Sequence, residues 1–438
     1  MPFGIIRLQS YKPTRTQKAM KYLVSILLLA FSATTLDAQE NWPRFRGPNG
    51  QGISRAVGVP VQWGTEDNVA WKTEIPGTGW SSPIVWDDRI FLTTATDGDT
   101  KCHIIAIDGN SGRILWDTVV FQQEPKHKHA KNSRATSTPC TDGKLVYAVF
   151  GSGGFAAVDF EGKIVWTNTT LDFYSHHGMA TSPILYKDML LLAVNPSNRE
   201  EPKQLGWLEP WDKSYLLALD KATGKERWRG KRGLSRIAHA TPIIVQIDGK
   251  DQILSPAGNV IQGFDPADGT LLWTIDTDGE PCVPSPILGG DLTFVAASPK
   301  DGVKAARLGG KGNCTETHLI WTQTRNVPMM SSFLYIKPCL YTTTDNGSFS
   351  CLDAATGEFL WQLRLGGSLN PSPLYVDGRI YVPSEQGTVT VLKPNADPKE
   401  PAEILAKNEL DLHMLASPVP FGKQLLLRTD NYLWCVGK

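Results

Sequence analysis

The chain has 438 residues, 41% apolar and 20% charged, with 44 Lys+Arg against 44 Asp+Glu. That apolar content supplies a large core, and the zero net charge excludes the basic surplus on which nucleic-acid binding depends. Outside residues 1–38 the balance is 39 Lys+Arg to 43 Asp+Glu, and the one short basic run is KHKHAK at 126–131.

The first element in chain order is a targeting segment. Met20-Lys21, the apolar run YLVSILLLAF (22–31) and SATTLDA read as a secretory signal peptide ending near Ala38. The run is too short to span a bilayer as a helix, and Met20 is an alternative start. The first cysteine is Cys102, so no lipid-anchor cysteine is expected at the cleavage point. Export to the periplasm or the extracellular space follows. Residues 39–65 then form an N-terminal extension, expected either to wrap the ring that follows or to plug one of its faces. Residues 66–438 carry a repeat.

The repeat is a phrase that closes on tryptophan: AIDGNSGRILW at Trp116, AVDFEGKIVW at Trp166, ALDKATGKERW at Trp228, GFDPADGTLLW at Trp273 and CLDAATGEFLW at Trp361. Trp71 and Trp321 close two degenerate copies, and successive tryptophans are 40 to 62 residues apart. A second motif, a small residue before proline, follows most of them: SSP83, STP139, TSP183, ATP242, PSP286, PSP373 and ASP418, with Met330-Ser331-Ser332 filling the remaining slot without its proline. Eight units result, each with four short strands and Asp/Gly turns. In the first unit the strands are SPIVW, RIFLTTA, CHIIAID and RILWDTV. The last unit, QLLLRTD and YLWCVGK, is one strand short, and NVAWKTEI at 68–75 supplies it. The fold expected is all-β, an eight-bladed antiparallel β-propeller closed by its terminal strands. The repeated tryptophans are expected to pack between blades.

The A-x-D-x-x-T-G-x-x-x-W phrase resembles the quinoprotein-type (PQQ-like) propeller repeat, over roughly residues 68–438. That family includes the quinoprotein alcohol dehydrogenases and BamB, the propeller subunit of the outer-membrane barrel-assembly machinery. NWPRFRGPNGQGIS (41–54) resembles the N-terminal segment of secreted members from environmental bacteria. In the dehydrogenases, the resemblance implies, a vicinal disulfide and a tryptophan sandwich the quinone, a Glu/Asn/Asp set holds calcium and an aspartate acts as base. Here no Cys-Cys pair and no CxxCH occur, and Asp108, Asp159, Asp220, Asp265 and Asp353 sit in repeated turns. Neither the quinone nor calcium is expected.

Propeller geometry puts the loops into the inner strands on one face: 76–80, 121–136, 171–180, 232–240, 277–283, 325–330, 365–370 and 408–415. Six of the eight histidines fall there, at 127, 129, 176, 177, 239 and 413. The longest insertion, 195–214, overhangs the same face with Trp207 and Trp211. Trp80, His129, Asn132, His176, His177, Trp207, Trp211, His239 and Arg325 are therefore the candidate binding residues. The spacings are loop spacings, without HExxH, so no metal site is read, although His129 with Asn132 and His176 with His177 are the pairs to inspect. No GxSxG elbow, P-loop or complete calcium loop is present, and no catalytic residue is assigned. The seven cysteines read as small buried strand residues with room for one disulfide.

The function expected is that of a non-catalytic, monomeric binding or assembly scaffold in the cell envelope, engaging a protein or a glycan on the loop face. The alternative is a cofactor-, metal- or glycan-binding enzyme of the quinoprotein dehydrogenase type using the same face.

Overall fold

The structure is a computed structural model. It describes residues 39–124, 127–200, 204–279, 283–298, 301–410 and 412–438; the signal segment and Cys282 lie outside these. Within the unit Glu40–Lys438, eight antiparallel sheets follow one another around a ring. The first blade contains Ile84–Trp86, Arg89–Thr96, Lys101–Asp108 and Ile114–Gln122, matching the four strands read from the sequence. The last takes Val69–Glu74 as its outer strand, paired antiparallel to Tyr432–Val436. The ring closes by joining the two ends of the repeat region. The insertion in the fifth blade adds a short strand, Gly312–Asn313, parallel to the outer strand of the blade before it.

The repeat phrase packs most blades on the next, while Trp273 Nε1 donates to Gln252 of its own blade. Trp116 Nε1 donates to the carbonyl of Phe160, Trp166 to that of Lys221 and Trp361 to that of Pro398, each in the following blade at 2.8–3.0 Å. The turn glycine beneath the Trp71, Trp116, Trp166, Trp228 and Trp321 rings is required by close approach. A Cβ on Gly224 (φ +68) would lie 2.4 Å from the Trp166 ring. The turn aspartate accepts amide and hydroxyl hydrogens from the same turn, as Asp220 does from Thr223 at 2.9 Å. The phrase is thus structural: aspartate shapes the turn, glycine makes room, and tryptophan of the preceding blade fills it.

At the axis a second set of contacts closes a full circle. The amide of Ser82 donates to Thr138 Oγ1, Thr138 to Ser182 Oγ, Ser182 to Thr241 Oγ1 and Thr241 to Ser285 Oγ. Ser285 continues to Ser332, Ser332 to Ser372, Ser372 to Ser417, and Ser417 returns to Ser82; all eight bonds are 2.9–3.1 Å. These are the residues before each proline of the small-residue motif. Ser332, in the slot without proline, takes its place unchanged.

The extension runs across the end of the ring opposite the long loops. Trp42 bridges Val85 of the first blade, and Pro43 O accepts from Thr141 of the second. Arg44 reaches Pro242 O, Gln51 Oε1 accepts from Leu288, and Arg46 reaches the carbonyls of Phe333 and Pro373. Farther along, Ile53 bridges Tyr375, and Trp63 donates to Asn408. Of the two arrangements expected for this segment, it adopts the plug. The six described cysteines are all buried and free, so the room left for a disulfide is unused among them.

The axial ring gives a direct prediction. Ser182→Ala leaves the buried amide of Thr138 without its acceptor and should cost about 1–3 kcal/mol in denaturant unfolding. Ser182→Thr should cost less than about 1 kcal/mol, because threonine already fills two of the eight positions. Equal losses for the two variants would show that the hydroxyl does not act as an acceptor in the circle.

Candidate functional site: the axial cavity

A cavity of about 530 Å³ follows the axis. Its floor is Phe45 of the plug, its waist is the eight hydroxyl residues, and its mouth is built by the loops into the inner strands. Every one of those eight loops contributes, through Trp80, His129, His177, His239, Val283, Met329, Asn370 and Leu415 among others. Trp207 of the 195–214 insertion overhangs the mouth.

The histidines form a packed cluster on one side of the mouth. The His176 ring stacks on Trp207 with centroids 3.7 Å apart and planes 9° from parallel. His177 stands edge-on to Trp207 and to His239, each at 5.8 Å, and His129 lies 5.6 Å from His177. Local hydrogen bonds fix these positions. Asn132 Nδ2 donates to the carbonyl of His177 at 2.8 Å, while its Oδ1 accepts from Thr136 at 2.6 Å. Arg236 Nε donates to Trp207 O at 2.8 Å.

Burial drives the His177 imidazole pKa down to about 4, helped by His176, His129 and His127 beside it. Burial takes His239 lower still, to about 3, with His177 adding to the effect. Both rings are neutral at pH 7. His177 Nδ1 and His239 Nε2 have no hydrogen-bond partner among the described residues. The pairs singled out in the sequence are joined by hydrogen bonds and ring contacts. No group of three or more His, Cys, Asp or Glu among the described residues is arranged to hold a metal ion.

Opposite chemistry stands at the sixth and seventh blades. Asp345 lines the cavity, and burial raises its carboxyl pKa, opposed by Lys131. Lys131 Nζ lies 3.7 Å from Glu385 Oε1, which also accepts from Asn370 Nδ2. Sequence reasoning missed Asp345 because DNGS looks like any other turn, and it missed the hydroxyls because each belongs to a different blade.

The structure brings Trp80, His129, Asn132, His177, Trp207 and His239 to the cavity wall and places His176 behind Trp207. Two candidates lie elsewhere. Trp211 turns into its own loop, with Nε1 donating to Pro196 O at 3.0 Å and its backbone bridging Ser235. Arg325 lies over the Phe359 ring, 3.8 Å from its centroid, away from the cavity lining.

The family model described as "Outer membrane protein assembly factor BamB" matches residues 55–198, 211–313 and 315–397. The chain belongs to this PQQ-like propeller family. It is 23% identical over 297 residues to the tetrathionate hydrolase of Acidithiobacillus ferrooxidans, an alignment covering 64% of this chain and 53% of the relative. The chain thus spans about half the length of the curated relative it matches. Among solved structures, BamB from Moraxella catarrhalis superposes with a TM-score of 0.59 at 14% identity, over 84% of this chain and 99% of that one. A europium-containing methanol dehydrogenase gives 0.61 at 12% identity, over 89% of both. These likenesses establish the fold in proteins with different activities. No helix among the described residues is long and apolar enough to cross a membrane.

The neutral histidines make stability depend on pH. Both have folded pKa values below the ordinary 6.5, so below about pH 6.5 the unfolded chain holds more protons and stability falls with pH. For the buried His239 the slope approaches about 1.4 kcal/mol per pH unit, while the partly exposed His177 contributes less. His239→Gln should reduce the loss of stability between pH 7 and 4.5 by about 2 kcal/mol in denaturant titrations. An unchanged pH slope would contradict burial of a neutral imidazole.

Proposed function

We propose that this chain is an exported binding propeller of the cell envelope that takes a small molecule into its axial cavity from the loop face. One observation carries the reading: all eight blades contribute to a single cavity, floored by the plug and of a size that encloses a small organic ligand. A scaffold working through its blade edges alone has no need of such a space. The wall fits this use. Trp80 and Trp207 offer aromatic faces, His177 and His239 offer uncommitted nitrogens, and a rigid ring fixes their spacing. The same reading leaves out pyrroloquinoline quinone with calcium. Among the described residues Asp345 is the only carboxylate in the lining, and calcium requires six to eight oxygen ligands, several of them usually carboxylates.

A catalytic reading has one observation in its favour: the Asp345 carboxyl, its pKa raised by burial, faces the cavity that the neutral histidines also line. The name of the curated relative, a tetrathionate hydrolase, is in keeping with this second reading. Asp345→Asn separates the two readings, because it abolishes turnover in a hydrolase and spares binding in a receptor.

The test is a thermal-shift screen of sugars, carboxylates, quinones and sulfur and phosphorus oxyanions, followed by Trp207→Ala. A ligand at 100 times its Kd stabilises by about 2.7 kcal/mol. Trp207→Ala should weaken that ligand by more than about 2 kcal/mol while leaving unliganded stability within about 1 kcal/mol. A screen without any stabilising compound, together with a protein partner footprint confined to the outer blade edges, would overturn the cavity as the functional site.

A further inference from the structure

The lower half of the cavity has a donor surplus and a charge surplus that the proposed binding role does not by itself require. Each of the eight ring hydroxyls accepts one backbone amide. No bond among the described residues takes the hydrogen of any of them. All eight side chains line the cavity, so the waist is a circle of O–H donors without an acceptor among the described residues.

Buried guanidinium groups stand immediately behind that circle. Arg46, 3% exposed, donates to the carbonyls of Phe333 and Pro373, the residues that follow ring members Ser332 and Ser372. It also borders a small void shared with ring members Ser82 and Ser417. Arg428, 2% exposed, donates to the carbonyl and hydroxyl of Ser81, the neighbour of Ser82. Neither has a carboxylate partner within ion-pair distance among the described residues; all their hydrogen bonds go to carbonyls and one hydroxyl. Burial lowers both pKa values to about 9, opposed at Arg428 by the Asp430 carboxylate and at Arg46 by no charge, which leaves them charged at neutral pH. The Nε atom of each is buried without a partner. The partly buried Arg44 adds a third guanidinium beside Pro242, which follows Thr241. Among the described residues, the carboxylates around the cavity belong to its mouth: Asp345 and Glu385, which Lys131 offsets, and Asp430, which is held by His413.

Charge without a counterion is costly in a protein interior, and a low-dielectric wall focuses its field into the nearest polar space. Here that space is the waist. Resting on the binding role proposed above, we infer that the waist is an anion site, for a small oxyanion or the anionic end of a longer ligand whose remainder lies between Trp80 and Trp207. The hydroxyls supply directional donors, and the guanidiniums behind them supply positive potential without touching the ligand.

Selenate, which reports its position by anomalous scattering, is the probe. Calorimetric titration of the full-length mature protein with sodium selenate at fixed ionic strength should give saturable 1:1 binding. Selenate-soaked crystals should show a selenium peak on the axis within hydrogen-bonding reach of the ring hydroxyls. Arg428→Gln, which keeps hydrogen-bonding capacity and removes the charge, should weaken binding at least tenfold, with Arg46→Gln as the second variant if the first does not fold. Selenium only at Lys131 or on surface lysines would overturn the inference, as would the absence of saturable binding, which needs no variant to be seen. If selenate fails while a neutral compound binds in a Trp207-dependent way, the binding role stands and the anion site falls. If nothing enters the cavity, both fall.

Discussion

The arrangement depends on one interaction made eight times: a backbone amide of one blade donating to the side-chain hydroxyl of the next. Inner strands of a propeller converge, and the residue entering each strand is too close to the axis for a large side chain and too buried to leave an amide unpaired. Serine or threonine solves both problems with one oxygen. The circle closes on itself, so a displacement of any blade strains two bonds and is passed to its neighbours. Tryptophan stacked on a turn glycine does the corresponding work at the outer edge, and the Val69–Glu74 strand joins the two ends. Hub, edge and closure together hold the ring to one diameter.

A fixed diameter decides what the centre can be. Eight blades leave an open axis where fewer blades would be filled by side chains. The extension covers one end with Phe45 and with Trp42 and Trp63 packed among the adjoining blades. The other end is left to loops whose lengths are free to vary. Polarity is therefore graded along the axis. Aromatic and imidazole groups stand at the mouth and hydroxyls at the waist, with guanidiniums behind them. The histidines remain neutral because they are buried against one another, and the arginines remain charged because burial cannot lower a guanidinium far enough to discharge it.

Most of the fold was legible in the sequence, for a physical reason. Tryptophan, glycine and aspartate act within one turn or between neighbouring turns, so their spacing survives as a written pattern, and Ser332 kept its place even where the proline was lost. The face carrying the site was legible too, because strand alternation dictates which loops share an end. What was not legible depends on closure. Ser82 and Ser417 are bonded across 335 positions, and no local signal says that a serine before a proline faces seven others. Arg46 and Arg428 carry no local signal that marks them as buried beside the circle. Conversely, Trp211 and Arg325 looked like ligand contacts, yet each is satisfied by its own surroundings, Pro196 and Phe359. Residue type gave chemistry without direction.

Membership of a family whose model is named for an assembly factor, beside structural likeness to a methanol dehydrogenase and sequence likeness to a hydrolase, means that architecture alone does not select an activity. Selection lies in what lines the axis, and that lining is only as well placed as the circle beneath it. The most direct measurement is native-state hydrogen exchange at the amides of Ser82, Thr138, Ser182, Thr241, Ser285, Ser332, Ser372 and Ser417. If the circle is one cooperative unit, all eight exchange only through global unfolding, with a single free energy equal to that from denaturant titration. Exchange of some of these amides through local openings several kcal/mol below the global value would contradict it.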